Sequence, residues 1–129
     1  QRGQGFEFLG YRFEAGRRWI RRKSIKALRE KVRGKTKRGR SGNMGYIIEE
    51  ELNPMLRGWF NYFKHAYRTE YREIDGFIRR RLRAVLLRRN KIGGLGIAEN
   101  AHRQWPNAYF AEMGLFTMHK AQLSARQPR

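Results

Sequence analysis

Apolar residues follow two patterns along the chain, one near the N-terminus and one over most of the remainder. Aromatic and aliphatic residues are dense from Phe6 to Phe13, and Ala15 and Gly16 separate them from two further apolar residues. Short apolar runs on either side of a glycine-containing turn favour a β-hairpin. The sequence therefore predicts a short N-terminal hairpin that turns near Ala15 and Gly16.

Three longer segments have apolar residues at every third or fourth position, which is the spacing of an amphipathic α-helix. They predict helices over residues 24–34, about 46–67 and about 69–90. Ser24 is the expected N-cap of the first helix, and the second is expected to be buried around most of its circumference. Pro54 either kinks the second helix or starts a new one with Asn53 as its cap.

The other segments are shorter and richer in glycine. Residues 34–42 contain three glycines and no apolar residue, which predicts that Gly34 ends the first helix and that a flexible basic loop follows. Gly93 to Gly96 are expected to end the third helix. Residues beyond them predict one or two short helices that pack back on the main ones, with a frayed end after about His119. The expected fold class is mainly α, with three main helices, a short N-terminal β-hairpin and a small C-terminal helical segment.

Positive charge dominates the composition. The 129 residues include 30 Lys and Arg and 11 Asp and Glu, which gives a formal net charge of +19 at pH 7, and 22 of the cations are arginines. A charge of this size on a small domain implies an anionic partner. Guanidinium groups bind phosphate through two hydrogen bonds and stack on bases, so the composition favours a nucleic acid over a membrane surface or an acidic protein.

The cations are concentrated in two segments. Arg17 to Arg40 contains 13 basic residues and one acid, and Arg79 to Lys91 contains seven basic residues and no acid. We expect these segments to supply most of the phosphate contacts. The candidate RNA-binding residues are Arg17, Arg18, Arg21, Arg22, Lys23, Lys26, Lys35, Lys37, Arg38, Arg40, Arg57, Arg79, Arg80 and Arg83.

Residues for catalysis or metal binding are scarce. The chain has no cysteine, which excludes disulfides and thiolate zinc sites and is typical of a reducing compartment. Its only aspartate, Asp75, and the run Glu49–Glu51 are expected to lie near helix starts, where the helix dipole favours negative charge. The histidines have no metal-ligand spacing. We therefore predict no catalytic residue, no metal ligand and no cofactor in this chain.

The segment from Leu52 to Phe63 carries the most specific motif, Leu-Asn-Pro-Met-Leu-Arg-Gly-Trp-Phe-Asn-Tyr-Phe. It resembles the signature of the maturase domain, or domain X, of group II intron-encoded reverse transcriptases. The matching residues, which we expect to be mainly structural, are Leu52, Asn53, Pro54, Leu56, Arg57, Gly58, Trp59, Tyr62 and Phe63.

Individual roles are predicted within this motif. The side chains of Leu52, Leu56, Trp59 and Phe63 are expected in the core. Gly58 is expected to permit close helix packing. Arg57 has three open roles, which are capping a loop, pairing with an acid such as Glu51 or Asp75, and contacting RNA.

Other segments resemble the same family. Residues 8–13 resemble the strand that ends the palm of the polymerase, residues 74–83 resemble a helix of the thumb and maturase region, and residues 105–118 resemble the ending of bacterial members. The resemblance thus covers about residues 6 to 118. Trp105 and Tyr109 in the last segment are expected to clamp it onto the helices in preference to stacking on unpaired bases.

The resemblance implies a thumb and maturase fragment that has been taken from a longer protein. Residues 1–20 would be the end of the palm, residues 21–91 the helical thumb and maturase region, and residues 92–129 a segment that packs back. The implied partners are group II intron RNA, whose splicing the protein assists, and an RNA template–DNA primer duplex in the parent enzyme. That parent is expected to use Mg²⁺, to lie in the bacterial cytosol and to have no membrane partner.

Two alternatives stay open on the sequence. The fragment could serve mainly to grip the template–primer duplex, because both tasks need the same cationic helices. It could also be a basic RNA-binding module of the ribosomal type with no polymerase parent.

We predict that the chain incorporates no nucleotide on any template–primer with Mg²⁺ or Mn²⁺. Phosphoryl transfer with two metal ions needs carboxylates that converge on one point. Consecutive helical residues such as Glu49 and Glu50 point about 100° apart and cannot converge. Primer extension with the purified chain measures this, and extension that is abolished by Asp75→Asn would contradict the prediction.

Overall fold

The fold consists of a small sheet followed by helices, and the computed structural model describes residues 6–8, 10–91 and 99–126. The strands are β1 (Phe6–Phe8), β2 (Tyr11–Glu14) and β3 (Arg17–Ile20), which form one antiparallel sheet in the order β1-β2-β3. The helical elements are α1 (Arg22–Lys35), α2 (Met44–Tyr46), a π-helical turn (Ile47–Leu52), α3 (Asn53–Tyr62), α4 (Arg68–Arg89), α5 (Glu99–Gln104), α6 (Asn107–Glu112) and α7 (Met118–Arg126). The mainly α fold class is confirmed.

The predicted hairpin is the pair β2–β3, with a third strand that was not predicted. Ala15 and Gly16 both have positive φ angles, 54° and 73°, as a two-residue hairpin turn requires. The turn before β2 packs closely on α3, because a Cβ atom on Gly10 would lie 2.8 Å from the Phe63 ring. Only glycine fits at this contact, and the sheet is thereby held against the helices.

Helix α1 begins and ends at other residues than predicted. The backbone N–H of Arg21 still bonds to Gly10 O, at 3.0 Å, and the helix begins immediately afterwards. Ser24 therefore lies within the first turn, and its prediction as the N-cap is wrong. Gly34 lies inside the helix, which ends where the Thr36 hydroxyl donates to Val32 O at 2.6 Å.

The basic loop after α1 is fixed to its surroundings at two points, so the prediction of a flexible loop is wrong. The Arg81 guanidinium donates to the hydroxyl and carbonyl oxygens of Thr36, at 3.2 and 2.9 Å. Arg40 forms a two-fold ion pair with Glu51, at 2.9 and 2.6 Å. This pair also gives Glu51 a role that the helix dipole alone did not predict.

The second predicted helix is divided by the π-helical turn. The N–H of Asn53 bonds to Ile48 O, five residues back, and Pro54 follows as the second residue of α3 without an N–H to donate. Asn53 does not cap the helix. Its side chain donates to Gly114 O at 2.7 Å and accepts from Phe116 N at 2.8 Å, so it ties α3 to the C-terminal segment.

Helix α4 is the centre of the core and contacts α1, α5 and α7. Its fully buried Tyr71 accepts from Ala66 N and donates to Phe63 O, which closes the connection from α3. The second helix is less buried than predicted, since Tyr46 and Tyr62 are 57% and 61% exposed. The buried side of α3 faces α4 at Phe60, whose ring lies 5.5 Å from that of Tyr71.

The C-terminal segment is helical beyond the residue where fraying was predicted. Helix α7 continues to Arg126. The buried side chain of Gln122 donates to Ala66 O at 3.0 Å, so α7 is bonded to the connection between α3 and α4. The predicted glycine stop at residues 93–96 lies outside the described residues, and the division into three regions stays a prediction.

We predict that Asn53→Ala lowers the free energy of unfolding by about 1–3 kcal/mol, because two backbone groups of the C-terminal segment lose their partner. Asn61→Ala, on the exposed side of the same helix, is the matched control and should change it by less than about 0.5 kcal/mol. Denaturant unfolding measures both values. Equal effects of the two substitutions would show that the Asn53 bridge does not stabilise the fold.

Candidate nucleic-acid interface

A groove between the sheet, α1 and the start of α4 collects positive charge. Its volume is about 490 Å³. We call it the basic groove, and its cations are Arg12, Arg22, Lys26, Arg29 and Arg33. Glu70 and Glu73 of α4 also line it, so cations outnumber acids and the groove is suited to a polyanion.

Glu70 has a structural role in this groove. Its carboxylate accepts from the backbone N–H of Ile20 at 3.0 Å, which joins β3 to α4. Burial raises the pKa of Glu70, while the hydrogen bond from Ile20 lowers it. One of the two acids is thus partly engaged by the backbone and does not compete fully for the arginines.

Three arginines surround the ring of Phe77, and we call them the Phe77 cluster. The Cζ atoms of Arg29 and Arg33 lie 5.1 Å from the ring centroid, and that of Arg80 lies 6.0 Å from it. Arg29 and Arg33 share one face of α1 because they are four residues apart. A cation on a ring face keeps its N–H donors available, whereas an ion pair would occupy them.

Two further arginines add charge beside the Phe77 cluster. Burial lowers the pKa of the half-buried Arg81, and the neighbouring charges of Arg33 and Arg38 lower it further. The Nε atoms of Arg29 and Arg38 are shielded from solvent and make no hydrogen bond within the part of the chain that the structure describes. Like charges held this close create a strongly positive potential with spare donors, as an anion site requires.

The predicted RNA-binding residues differ widely in exposure. The exposed ones are Arg17, Arg22, Lys23, Lys26, Lys37, Arg57 and Arg80. The half-buried ones are Arg18, Arg21, Lys35, Arg38, Arg40 and Arg79. Among the latter, Arg40 is largely neutralised by Glu51, so it is a weaker candidate for RNA than its position in the sequence indicated.

Arg83 is not available to RNA, and its prediction as a contact is wrong. The residue is 1% exposed. Its guanidinium donates to Trp105 O and to the side-chain oxygen of Asn107, both at 2.8 Å, and lies 5.4 Å from the ring of Phe110. The C-terminal segment encloses this face of α4, and Arg83 fastens that segment to it.

The motif residues are confirmed as core only in part. Leu52, Leu56 and Phe63 are buried, whereas Trp59 is half-buried with its ring 4.5 Å from that of Phe63. Gly58 is exposed and a Cβ atom there would meet no atom within 4 Å. The expected close helix packing at Gly58 is therefore wrong.

Arg57 and Trp105 also have defined surroundings. Arg57 is exposed with its guanidinium 5.7 Å from the Phe116 ring. It pairs with neither of the acids considered, because Glu51 binds Arg40 and Asp75 binds backbone groups. Trp105 is buried, as a clamp of the C-terminal segment should be.

Asp75 lies in the body of α4, so the helix-start explanation is wrong for it. It is 4% exposed, and its carboxylate accepts from the backbone N–H groups of Met118 and His119 at 2.8 and 3.0 Å. It therefore caps the start of α7, a helix more than 40 residues away in the chain. Burial raises its pKa, and the two hydrogen bonds oppose this.

The set of candidate RNA-binding residues omitted Arg12, Arg29, Arg33 and Arg81, which line the groove or lie beside the Phe77 cluster. The four-residue spacing of Arg29 and Arg33 was a usable signal, since both fall beside the apolar stripe of α1. The position of Arg12 depends on the register of the sheet, which only the fold shows. Within the described residues, no group of three or more potential ligands could hold a metal ion, and no helix has the length and apolar character to span a membrane.

The fold and the groove identify the chain as a mainly α-helical domain with a grooved, arginine-rich surface. The family model described as group II intron, maturase-specific domain matches residues 25–105, which is more than half of the chain. The chain therefore belongs to the group II intron maturase-specific domain family. No curated protein matches the chain.

We predict that Asp75 makes the stability of the fold depend on pH. Its pKa in the folded state lies above the ordinary value of 3.8, so the folded protein binds this proton more tightly than the unfolded chain. The stabilisation that results is complete below 3.8 and is lost as the pH rises through the folded pKa.

The substitution Asp75→Asn removes this titration and so tests whether Asp75 stabilises the fold more at low pH than at high pH. The free energy of unfolding of the wild type minus that of the variant should fall as the pH rises from below 3.8 through the folded pKa. Denaturant unfolding of both proteins across this range measures the difference. A difference that rises with pH would mean that the two hydrogen bonds outweigh the burial.

Proposed function

We propose that this domain binds folded group II intron RNA through the basic groove and the Phe77 cluster and thereby assists splicing. The family to which the chain belongs supports the choice of RNA. The observation that carries the proposal is that Arg29, Arg33 and Arg80 are collected around one ring. These guanidinium groups keep donors for phosphate, whereas surface arginines paired with carboxylates would not.

The geometry favours recognition of shape and phosphate over sequence. The groove is built by α1, α4 and the sheet, so the backbone positions of its cations have set spacings. An A-form duplex presents its backbone across a wide, shallow minor groove, and proteins contact it mainly through phosphates and 2′-hydroxyls. A fixed row of cations is suited to such a backbone and provides little discrimination between bases.

The same groove would contact the RNA template–DNA primer duplex in a parent reverse transcriptase. The sheet, which resembles the end of a polymerase palm, contributes Arg12 and Ile20 to the groove beside the cations of α1. The groove would therefore lie next to the palm of such a parent enzyme. The ribosomal type of RNA-binding module loses support, because the matched family is that of a maturase.

We predict a steep dependence of intron RNA affinity on salt. If about 6–10 phosphates are neutralised, the logarithm of the association constant should fall with the logarithm of the salt concentration with a slope between about −4 and −9. The variant Arg22→Gln/Lys26→Gln/Arg33→Gln removes three groove cations and should make the slope shallower by about 2–3. Filter binding over a series of salt concentrations measures the slopes.

The matched control also removes three exposed cations but leaves the groove intact. It carries Arg72→Gln, Arg88→Gln and Lys120→Gln, none of which lines the basic groove. Its slope should change less than that of the groove variant. A wild-type slope near −1, or equal losses in the two variants, would exclude the groove as the RNA-binding surface.

A further inference from the structure

A second pocket, lined by a different set of residues, lies beside the N-terminal end of α4, between the turn of the β2–β3 hairpin, the connection from α3 to α4, and α7. Its volume is about 420 Å³. We call it the Tyr67 pocket, and its cations are Arg17, Arg18, Lys64 and Arg68. None of the described residues that line it is acidic. Four cations from two parts of the chain, the hairpin and the α3–α4 connection with the first residue of α4, thus line one pocket without a carboxylate among its described residues.

Aromatic rings position the three arginines of this pocket. The Cζ atoms of Arg17 and Arg68 lie 4.4 and 5.1 Å from the centroid of the Tyr67 ring. That of Arg18 lies 5.3 Å from the ring of Tyr11. These contacts restrict the guanidinium groups and leave their N–H donors available to an anion.

The backbone beneath the pocket is fixed by hydrogen bonds from four elements. Tyr67 N donates to Arg18 O at 2.8 Å, which joins the connection to β3. Ala66 N donates to the Tyr71 hydroxyl of α4 at 2.9 Å, and Ala66 O accepts from Gln122 of α7. His65 N donates to a tyrosine hydroxyl of β2 at 3.2 Å. The backbone that carries the pocket is therefore fixed before a ligand binds.

We propose that the Tyr67 pocket binds a phosphate group of RNA, at a position separate from the basic groove. Convergent guanidinium groups with no acid beside them match the two-fold hydrogen bonding and charge of phosphate. Arg68 and Arg80 are 12 residues apart on α4, which is about 18 Å along its axis. Two different phosphates of the RNA would therefore occupy the pocket and the Phe77 cluster.

The phosphate could be an internal diester or a terminal monoester, since both offer the same oxygens. In either case this inference rests on the proposed function for its choice of RNA. The pocket itself can be tested with inorganic phosphate, which does not depend on intron RNA. The two claims can therefore fail separately.

The first test follows the arginine side-chain resonances of the 129-residue chain during titration with inorganic phosphate. The resonances of Arg17, Arg18 and Arg68 should saturate together, at lower phosphate concentration than that of Arg88. The variant Arg17→Gln/Lys64→Gln/Arg68→Gln should bind phosphate about tenfold or more weakly, since it loses several charge-assisted hydrogen bonds. The variant Arg72→Gln/Arg88→Gln/Lys120→Gln, with the same net charge, should stay within about twofold of wild type.

The thermal midpoint of unfolding serves as the control for correct folding of the variants. It should not change, because the substituted residues are exposed. Lys64→Gln alone serves if the triple variant fails to fold, and should still weaken phosphate binding by more than its single-site control Arg88→Gln. Equal weakening in pocket and control variants, or no saturation in the wild type, would overturn the proposal.

The second test identifies the source of the phosphate with single-stranded RNA oligonucleotides of one sequence, with and without a 5′-phosphate. If the pocket substitutions weaken the binding of both oligonucleotides, the pocket binds an internal diester. If they weaken the binding of the phosphorylated oligonucleotide alone, it binds a terminal monoester. If the substitutions weaken the binding of neither oligonucleotide, the proposal that the pocket binds RNA phosphate is overturned. If intron RNA does not bind the wild type while inorganic phosphate still saturates the pocket, the proposed function fails and the phosphate site stands.

Discussion

The contact between an arginine and an aromatic ring is the interaction on which the surface of this domain depends. A chain with 30 cations and 11 acids cannot pair every cation with a carboxylate. Among the side chains that the structure describes there are nine arginine–ring contacts and two ion pairs. Arginine side chains are therefore held by aromatic rings more often than by carboxylates. A ring orients a guanidinium without neutralising it. The positive potential is therefore kept while the side chains are held in place.

Helix α4 separates this charged surface from the part of the molecule that holds the C-terminal segment. On one side, Phe77 and Arg80 face α1. On the other, Asp75 and Arg83 are buried against the C-terminal segment and bond to it. Asn53 makes the corresponding link from α3. Polar side chains thus fix the C-terminal helices in position, and the same helix carries both the core and the candidate RNA-binding cluster.

Helix content and most of the core could be predicted because hydrophobic periodicity reports which face of a helix is buried. Leu52, Leu56 and Phe63 were assigned correctly on this basis. The predictions for Ser24, Gly58 and Asp75 were wrong because they used local rules for caps, glycines and helix dipoles. Ser24 and Asp75 depend on distant segments, which are the strand turn that bonds to Arg21 and the start of α7 that Asp75 caps, whereas at Gly58 no other element approaches the helix.

The sequence by itself determined the family, the helical class and the presence of two cationic segments, since motif, period and charge are properties of consecutive residues. Only the tertiary structure decided which arginines are accessible. Arg80 and Arg83 belong to one cationic run, yet one lies beside Phe77 and the other is enclosed by the C-terminal segment. The reason is that residues three apart differ in direction by only about 60° around a helix, so helical period alone does not separate the two, and the packing of the C-terminal segment over Arg83 decides which of them is buried.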